Sequence, residues 1–185
     1  MKKRSIAVIA GLAAAAIALT GCSAGANEDG GSAATGGTVT YLEPQTWITL
    51  YPPAGGFYPN GGVVNQITDR LLYQNPETLE LEPWIAEELP EVNADATEYT
   101  FKLREGVTYS DGTPLDAENV VKNIDLFAKG DPDRALSVSE AINNYDRGEV
   151  VDEQTVKFHF TAPSPGFAQA VSTINSGLLS SDTLD

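Results

Sequence analysis

The chain has 185 residues, with 26 acidic side chains against 11 basic ones and a formal net charge of −15. That balance favours solubility and argues against nucleic acid as a partner, because phosphate backbones select cationic surfaces. A single cysteine excludes an internal disulfide framework, and the length suffices for one domain with a sizeable core.

In chain order, Met1-Lys2-Lys3-Arg4 is a short cationic start, and Ile6 to Leu19 then runs without a charge. Those 14 residues fall short of the roughly 20 that a permanent membrane-spanning helix needs. A cationic start, a short apolar core and small residues after it read as a secretory signal over 1–21. Leu19-Thr20-Gly21-Cys22 resembles a bacterial lipobox, in which the cysteine thiol is lipidated and the chain is cut just before it. Cys22 has no other cysteine to pair with, so lipidation is the task that fits it. Each buried CH₂ of an acyl chain contributes about 0.8 kcal/mol, and two chains anchor stably where one does not. Ser23 to Gly37 holds five glycines and no large apolar residue, so 22–37 reads as a flexible tether. As a random coil it would span roughly 20 Å, about 5–6 Å times the square root of its length. Loss of the signal's three cations takes the formal charge from −15 to −18.

Thr38 to Leu42 alternates and predicts a strand. Glu43 to Gly62 is irregular and rich in Pro, Gly and aromatics. Val63, Val64, Ile67, Leu71 and Leu72 fit one face of a helix ending near Tyr73. Asn75 to Thr78 reads as a turn, and Pro83 to Leu89 as a short helix opened by proline. In Glu98 to Arg104, Tyr99, Phe101 and Leu103 share one face, as a half-buried strand requires. Gly106 permits a bend, Val107 and Tyr109 resume the alternation, and Ser110-Asp111-Gly112 is a tight turn. Asp116 is placed to cap a helix whose stripe is Ala117, Val120, Val121, Ile124 and Phe127, ended by Gly130 and Pro132. Asp152-Glu153-Gln154 turns into a strand with Val156, Phe158 and Phe160 on one face, and Phe167 to Ile174 predicts a last helix. Strands and helices mixed with hairpins give an α/β or α+β class.

Nothing in the chain assembles catalytic chemistry. His159 is the only histidine and falls on the polar face of its strand, where one imidazole without cysteine partners builds no transition-metal site. No G-x-S-x-G elbow occurs, and Ser164 between two prolines reads as loop punctuation. Glu87 and Glu88 are adjacent, so on a helix they diverge. The phosphate-binding G-x-x-x-x-G-K-[ST] pattern is absent. The expectation is a non-enzyme without cofactor or metal.

Several ordered motifs carry a resemblance. Leu81-Glu82-Pro83-Trp84-Ile85-Ala86 is followed by the strand Tyr99 to Tyr109, the turn Asp111-Gly112, the helix start Pro114 to Val120, and the strand Asp152 to Phe160. In this order and spacing they resemble the extracellular solute-binding proteins of ABC importers, the peptide/nickel-type group called family 5. The resemblance covers essentially the whole chain. It implies the N-terminal part of a two-lobed periplasmic-binding-protein-like fold (type II, cluster C), truncated, since family members are several times longer. On that reading 38–62 starts the main lobe, 63–170 is an inserted subdomain, and 171–185 returns toward the main lobe. The implied function is capture of a small solute, peptide or peptide-like, outside the cell and delivery to an ABC permease and ATPase complex. The implied protein is a monomer on the extracytoplasmic side, held to the membrane through a lipid on Cys22.

Residues just past the first strand line the cleft in that family, which points to Glu43 through Asn60. Trp47, Tyr51, Phe57, Tyr58 and Asn60 are the candidate ligand contacts, because aromatics with polar handles bury area and orient a ligand. The alternative is that the aromatics plug the interface between lobe and subdomain. Trp84 reads as core packing. Two other functional classes, a secreted lipid-anchored hydrolase and a surface adhesion lipoprotein, lack their signatures here: a catalytic constellation for one, repeats or a stalk for the other.

Overall fold

The computed structural model describes residues 37–47, 49–55, 60–134, 136 and 139–185. Its organising element is a four-stranded antiparallel sheet in which two strands carry the period-two pattern. In β4 (Glu98–Lys102) Tyr99 and Phe101 are buried, and in β6 (Thr155–Phe160) Val156, Phe158 and Phe160 are. The register sets Tyr99 opposite Phe158 and Phe101 opposite Val156, so the apolar sets of both strands share one face. β3 (Glu91–Val92) flanks β4, β5 (Tyr145–Asp152) flanks β6, and the order is β3-β4-β6-β5. A separate hairpin pairs β1 (Leu72–Gln74) with β2 (Leu81–Pro83).

Helices cover the apolar face, the α+β arrangement. The helix α1 (Gly61–Ile67) precedes the hairpin and packs on the 174–176 turn, whereas α2 (Ala117–Lys129) lies on β5 and β6. The Asp116 carboxylate accepts from Asn119 N at 2.8 Å and caps α2, and Gly130 at φ 83° ends it, as its sequence requires. Where α2 crosses β5 the two come close at Gly148, whose missing Cβ would sit 2.8 Å from Val121 Cγ1. The short helix α3 (Phe167–Ala170) seats Phe167 among Tyr99, Phe101, Phe158 and Phe160, with ring centroids 4.8–6.2 Å apart and edge-on. Ser164 serves this junction. Its hydroxyl donates to the Asn143 carbonyl at 2.9 Å, and its own carbonyl accepts from Tyr99 Oη at 2.8 Å.

Two buried amides on α2 hold the last segment. Asn119 and Asn123 each donate to the Leu179 carbonyl, at 3.0 and 2.8 Å, and Leu179 N donates back to Asn123 Oδ1 at 2.9 Å. The turn after them is α4 (Ser181–Leu184).

Four expectations are corrected. Thr38 to Leu42 is irregular, with Val39 94% and Leu42 85% exposed, because alternation fixes a strand's faces without supplying a neighbour to pair with. The helix expected to reach Tyr73 stops at Ile67, and Thr68 is already extended. Leu71 and Leu72 are buried in and beside β1 instead, a position an apolar stripe cannot distinguish from helix. Pro83 to Leu89 forms no helix: Trp84 N and Ala86 N donate to Leu71 O, Ile85 N to Arg70 O and Glu87 N to Lys102 O. Those amides are committed to other segments, so no i−4 ladder can form. The final helix stops at Ala170, and Ile174–Ser176 is a separate tight turn.

By internal contacts the chain divides into Met1–Tyr41 and Leu42–Asp185. Within the first unit residues 37–41 are exposed and irregular; the expected signal over 1–21, Cys22 and most of the expected tether over 22–37 lie outside the described residues. The second unit holds every strand and helix described here.

Candidate functional site

The irregular loop after Leu42 is built by its own polar side chains. Tyr51 N donates to Thr49 Oγ1 at 3.0 Å, Pro52–Ala54 forms a tight turn led by proline, and Ala54 N closes it onto Tyr51 O at 3.1 Å. Asn60 is fully buried, donates its amide to Thr49 O at 2.5 Å, and its carbonyl accepts from Val63 and Val64 at the start of α1. The loop is thereby clipped at both ends. Pro52 O is held from outside by Asn175 Nδ2 at 3.1 Å. Gly177 lies so close behind that a Cβ there would meet Thr68 Oγ1 at 2.5 Å.

Tyr51 is the focus of this construction. Its hydroxyl is buried and has no hydrogen-bond partner among the described residues. The Arg134 guanidinium stands 5.6 Å from its ring centroid. Arg134 comes from the turn that follows α2, where Asp131 Oδ1 accepts from Asp133 N and Arg134 N. Arg134 Nη1 donates to Asp131 Oδ2 at 2.5 Å, and Nη2 to Leu184 O at 3.0 Å. These contacts polarise the cluster. Burial and then Asp131 push the Tyr51 phenol up, opposed by Arg134; the hydrogen bond from Arg134 holds the Asp131 carboxyl below its ordinary value. Arg134 is committed to Asp131, and the Tyr51 hydroxyl is a buried donor with no partner among the described residues.

The other predicted contacts distribute as follows. Trp47 is half exposed at 51%, Asn60 is buried, and Phe57 and Tyr58 lie outside the described residues. Arg134 was not singled out in the sequence, where Gly130-Asp131-Pro132-Asp133-Arg134 reads only as a helix stop. His159 lies on the outer sheet face with its ring nitrogens 2.7 Å from Glu149 and 3.5 Å from Glu98, which holds the Glu149 carboxyl low. Trp84 packs edge-on against Tyr73 at 5.2 Å beside the core, as expected of it. Among the described residues no group of three or more His, Cys, Asp or Glu could hold a metal ion.

Known proteins share this architecture. Protein XP55 of Streptomyces lividans is 40% identical over 123 residues, which cover 63% of this chain and 21% of that protein. The glutathione-binding protein GsiB of Escherichia coli (strain K12) is 28% identical over 131 residues, 69% of this chain and 25% of GsiB. The chain thus spans about a fifth to a quarter of these relatives' length. The crystal structure of NikA from Brucella suis, in complex with Fe(III)-EDTA, aligns with a TM-score of 0.58 at 30% identity, over 68% of this chain and 25% of NikA. Residues 80–183, more than half of the chain, match the family described as bacterial extracellular solute-binding proteins, family 5 Middle, and the protein belongs to that family.

Proposed function

We propose that this chain is the N-terminal part of a substrate-binding lipoprotein of an ABC importer, which captures a solute outside the cell and hands it to a membrane permease and its ATPase. Family membership supports the class. Cys22, lipidated after removal of 1–21, anchors the protein through the 22–37 tether. Residues 38–62 open the main lobe, 63–170 form the inserted subdomain and 171–185 lead back. A solute held between lobes stabilises closure through its higher affinity for the closed form.

The observation that supports the ligand site is the Tyr51 hydroxyl, buried and without a partner among the described residues, in a loop clipped internally by Asn60 and held from outside by Asn175. A buried donor without a partner is costly unless something arrives to accept from it. Trp47, half exposed, supplies apolar area nearby in sequence; Phe57 and Tyr58 extend the aromatic set, and Asn60 keeps the loop in place. Peptide or peptide-like solutes are the favoured class, in keeping with a relative named for binding glutathione, itself a tripeptide.

Calorimetric titration of the intact lipoprotein with glutathione and with di- to pentapeptides tests this. Binding of one of them, weakened about tenfold by Tyr51→Phe with a ligand-free melting temperature no lower than that of the wild type, is expected from the loss of a single buried hydrogen bond. Binding unaffected by Tyr51→Phe would remove Tyr51 from the cleft. The intact mass of protein from the membrane fraction tests the anchor, which requires a diacylglyceryl increment on Cys22.

A further inference from the structure

Arg70 sits between α1 and β1, is 4% exposed, and its Nε is buried without a hydrogen-bond partner. No carboxylate among the described residues forms an ion pair with it, although its neighbour in sequence is Asp69. The guanidinium is held instead over the Trp84 ring, 5.2 Å from the centroid, and burial lowers its proton affinity. A buried cation is normally paired or coordinated, and leaving one unpaired is costly. Asp69 acts on it only at a distance, opposing the effect of burial, so a buried arginine without an ion pair among the described residues calls for a physical account.

The account lies in the groove that Arg70 lines, a cavity of about 380 Å³ between the β1–β2 hairpin and the turn after α3. Its other walls are amides, hydroxyls and apolar groups; no acidic residue among those described lines it. Most of the lining donors are already in use. The Ser172 and Thr173 hydroxyls donate to Gln169 O and Ala170 O, both at 2.8 Å. Gln169 Nε2 donates to Gln74 Oε1 at 3.1 Å, and Gln74 Nε2 to Leu79 O at 3.1 Å. The guanidinium is the cationic donor left over, in a cavity of the size that small ligands occupy.

From this we infer that the groove over Arg70 is an anion subsite that takes the carboxylate of a small solute, such as the C-terminus of a short peptide. The planar fork of an arginine matches a carboxylate with two parallel hydrogen bonds, and the Trp84 ring, 5.2 Å from the guanidinium carbon, backs it. The neutral walls place no carboxylate of the protein beside the bound anion. This subsite stands apart from the Tyr51 loop and does not depend on the reading proposed for it.

The test uses the full chain labelled with ¹⁵N, following the Arg70 Nε–Hε signal, assigned by its loss in Arg70→Lys. Trialanine with a free C-terminus and C-terminally amidated trialanine are titrated at equal ionic strength, with sodium chloride as a third series. Free trialanine is expected to shift the signal saturably and the amide to act at least tenfold more weakly. The Trp84 indole Nε1–Hε1 signal, assigned by its loss in Trp84→Phe, should follow the same curve. A signal unmoved by both peptides, equal responses to the two, or the same shift from chloride would each overturn the carboxylate subsite.

Discussion

Asn60 and Thr49 stand 11 positions apart in sequence, yet the buried Asn60 amide donates to the Thr49 carbonyl at 2.5 Å. The same residue starts α1 through its own carbonyl, so one residue couples the loop to the first helix. Asn60→Ala should therefore destabilise the protein by about 1–3 kcal/mol, the cost of leaving a partly buried carbonyl unsatisfied. Urea unfolding would show it as a lower midpoint at unchanged slope. An unchanged midpoint would mean that the loop is held without the clip.

The Asp116 cap on α2 gives a second expectation. Its carboxylate satisfies Asn119 N, one of the four amides that a helix start leaves open. Asp116→Ala should cost about 1 kcal/mol, and Asp116→Asn much less, because an amide oxygen accepts the same bond. Thermal melts of the two variants at neutral pH distinguish them; equal losses would count against capping as the cause.

Gly148 and Val121 should behave as a coupled pair. Gly148→Ala drives a methyl to 2.8 and 2.9 Å from the Val121 γ carbons and to 3.2 Å from Tyr145 Oη. Overpacking of this kind costs about 1–3 kcal/mol. In the Val121→Ala background the same substitution should cost less, an interaction energy that a double-mutant cycle reads directly. Strict additivity would show that β5 moves away from α2 to make room.

The Asp131–Arg134 contact predicts a change on the acid limb of stability. The Asp131 carboxyl is held below its ordinary 3.8, first by the hydrogen bond from Arg134. A depressed folded-state value means that the contribution is present in full above 3.8 and is lost as pH falls through the depressed value. Wild type and Arg134→Met should thus differ most near neutrality and converge under strong acid. Melting temperatures followed from about pH 6 to about pH 2 check this. A gap that stays constant over that range would mean Asp131 titrates normally, leaving only the bonds from Arg134 to the Leu184 and Thr183 carbonyls.

Elements with a signal of their own could be read directly. β4 and β6 alternate with aromatics on one face, and α2 has both its cap and its terminating glycine written out. β5 was not anticipated, because an edge strand reading Tyr-Asp-Arg-Gly-Glu-Val-Val-Asp is mostly exposed and has little apolar period to detect. The break after Ile67 was hidden for another reason. Leu71 and Leu72 satisfy a helical stripe as well as they satisfy β1, and what decides is pairing with Leu81–Pro83, residues with no local mark of it. The site divides the same way. Its aromatic loop announces itself through composition, and Tyr51 with it. Arg134 reaches Tyr51 only because α2 ends where it does, and Arg70 is unusual only for what fails to meet it. Neither is a property of a sequence window.

The ends of the sheet bear on how the protein behaves at high concentration. β3 offers a second chain only two residues, both exposed. β5 is longer, but its ladder with β6 slips between Tyr145 and Arg147 and again between Val150 and Asp152. It also displays Asp146, Arg147 and Glu149 along its length. A brief edge on one side and an interrupted, charged edge on the other give a second copy no straight template to extend. Edge-to-edge polymerisation is thereby discouraged on both sides of the sheet, so raising the protein concentration should not by itself string copies together through this sheet.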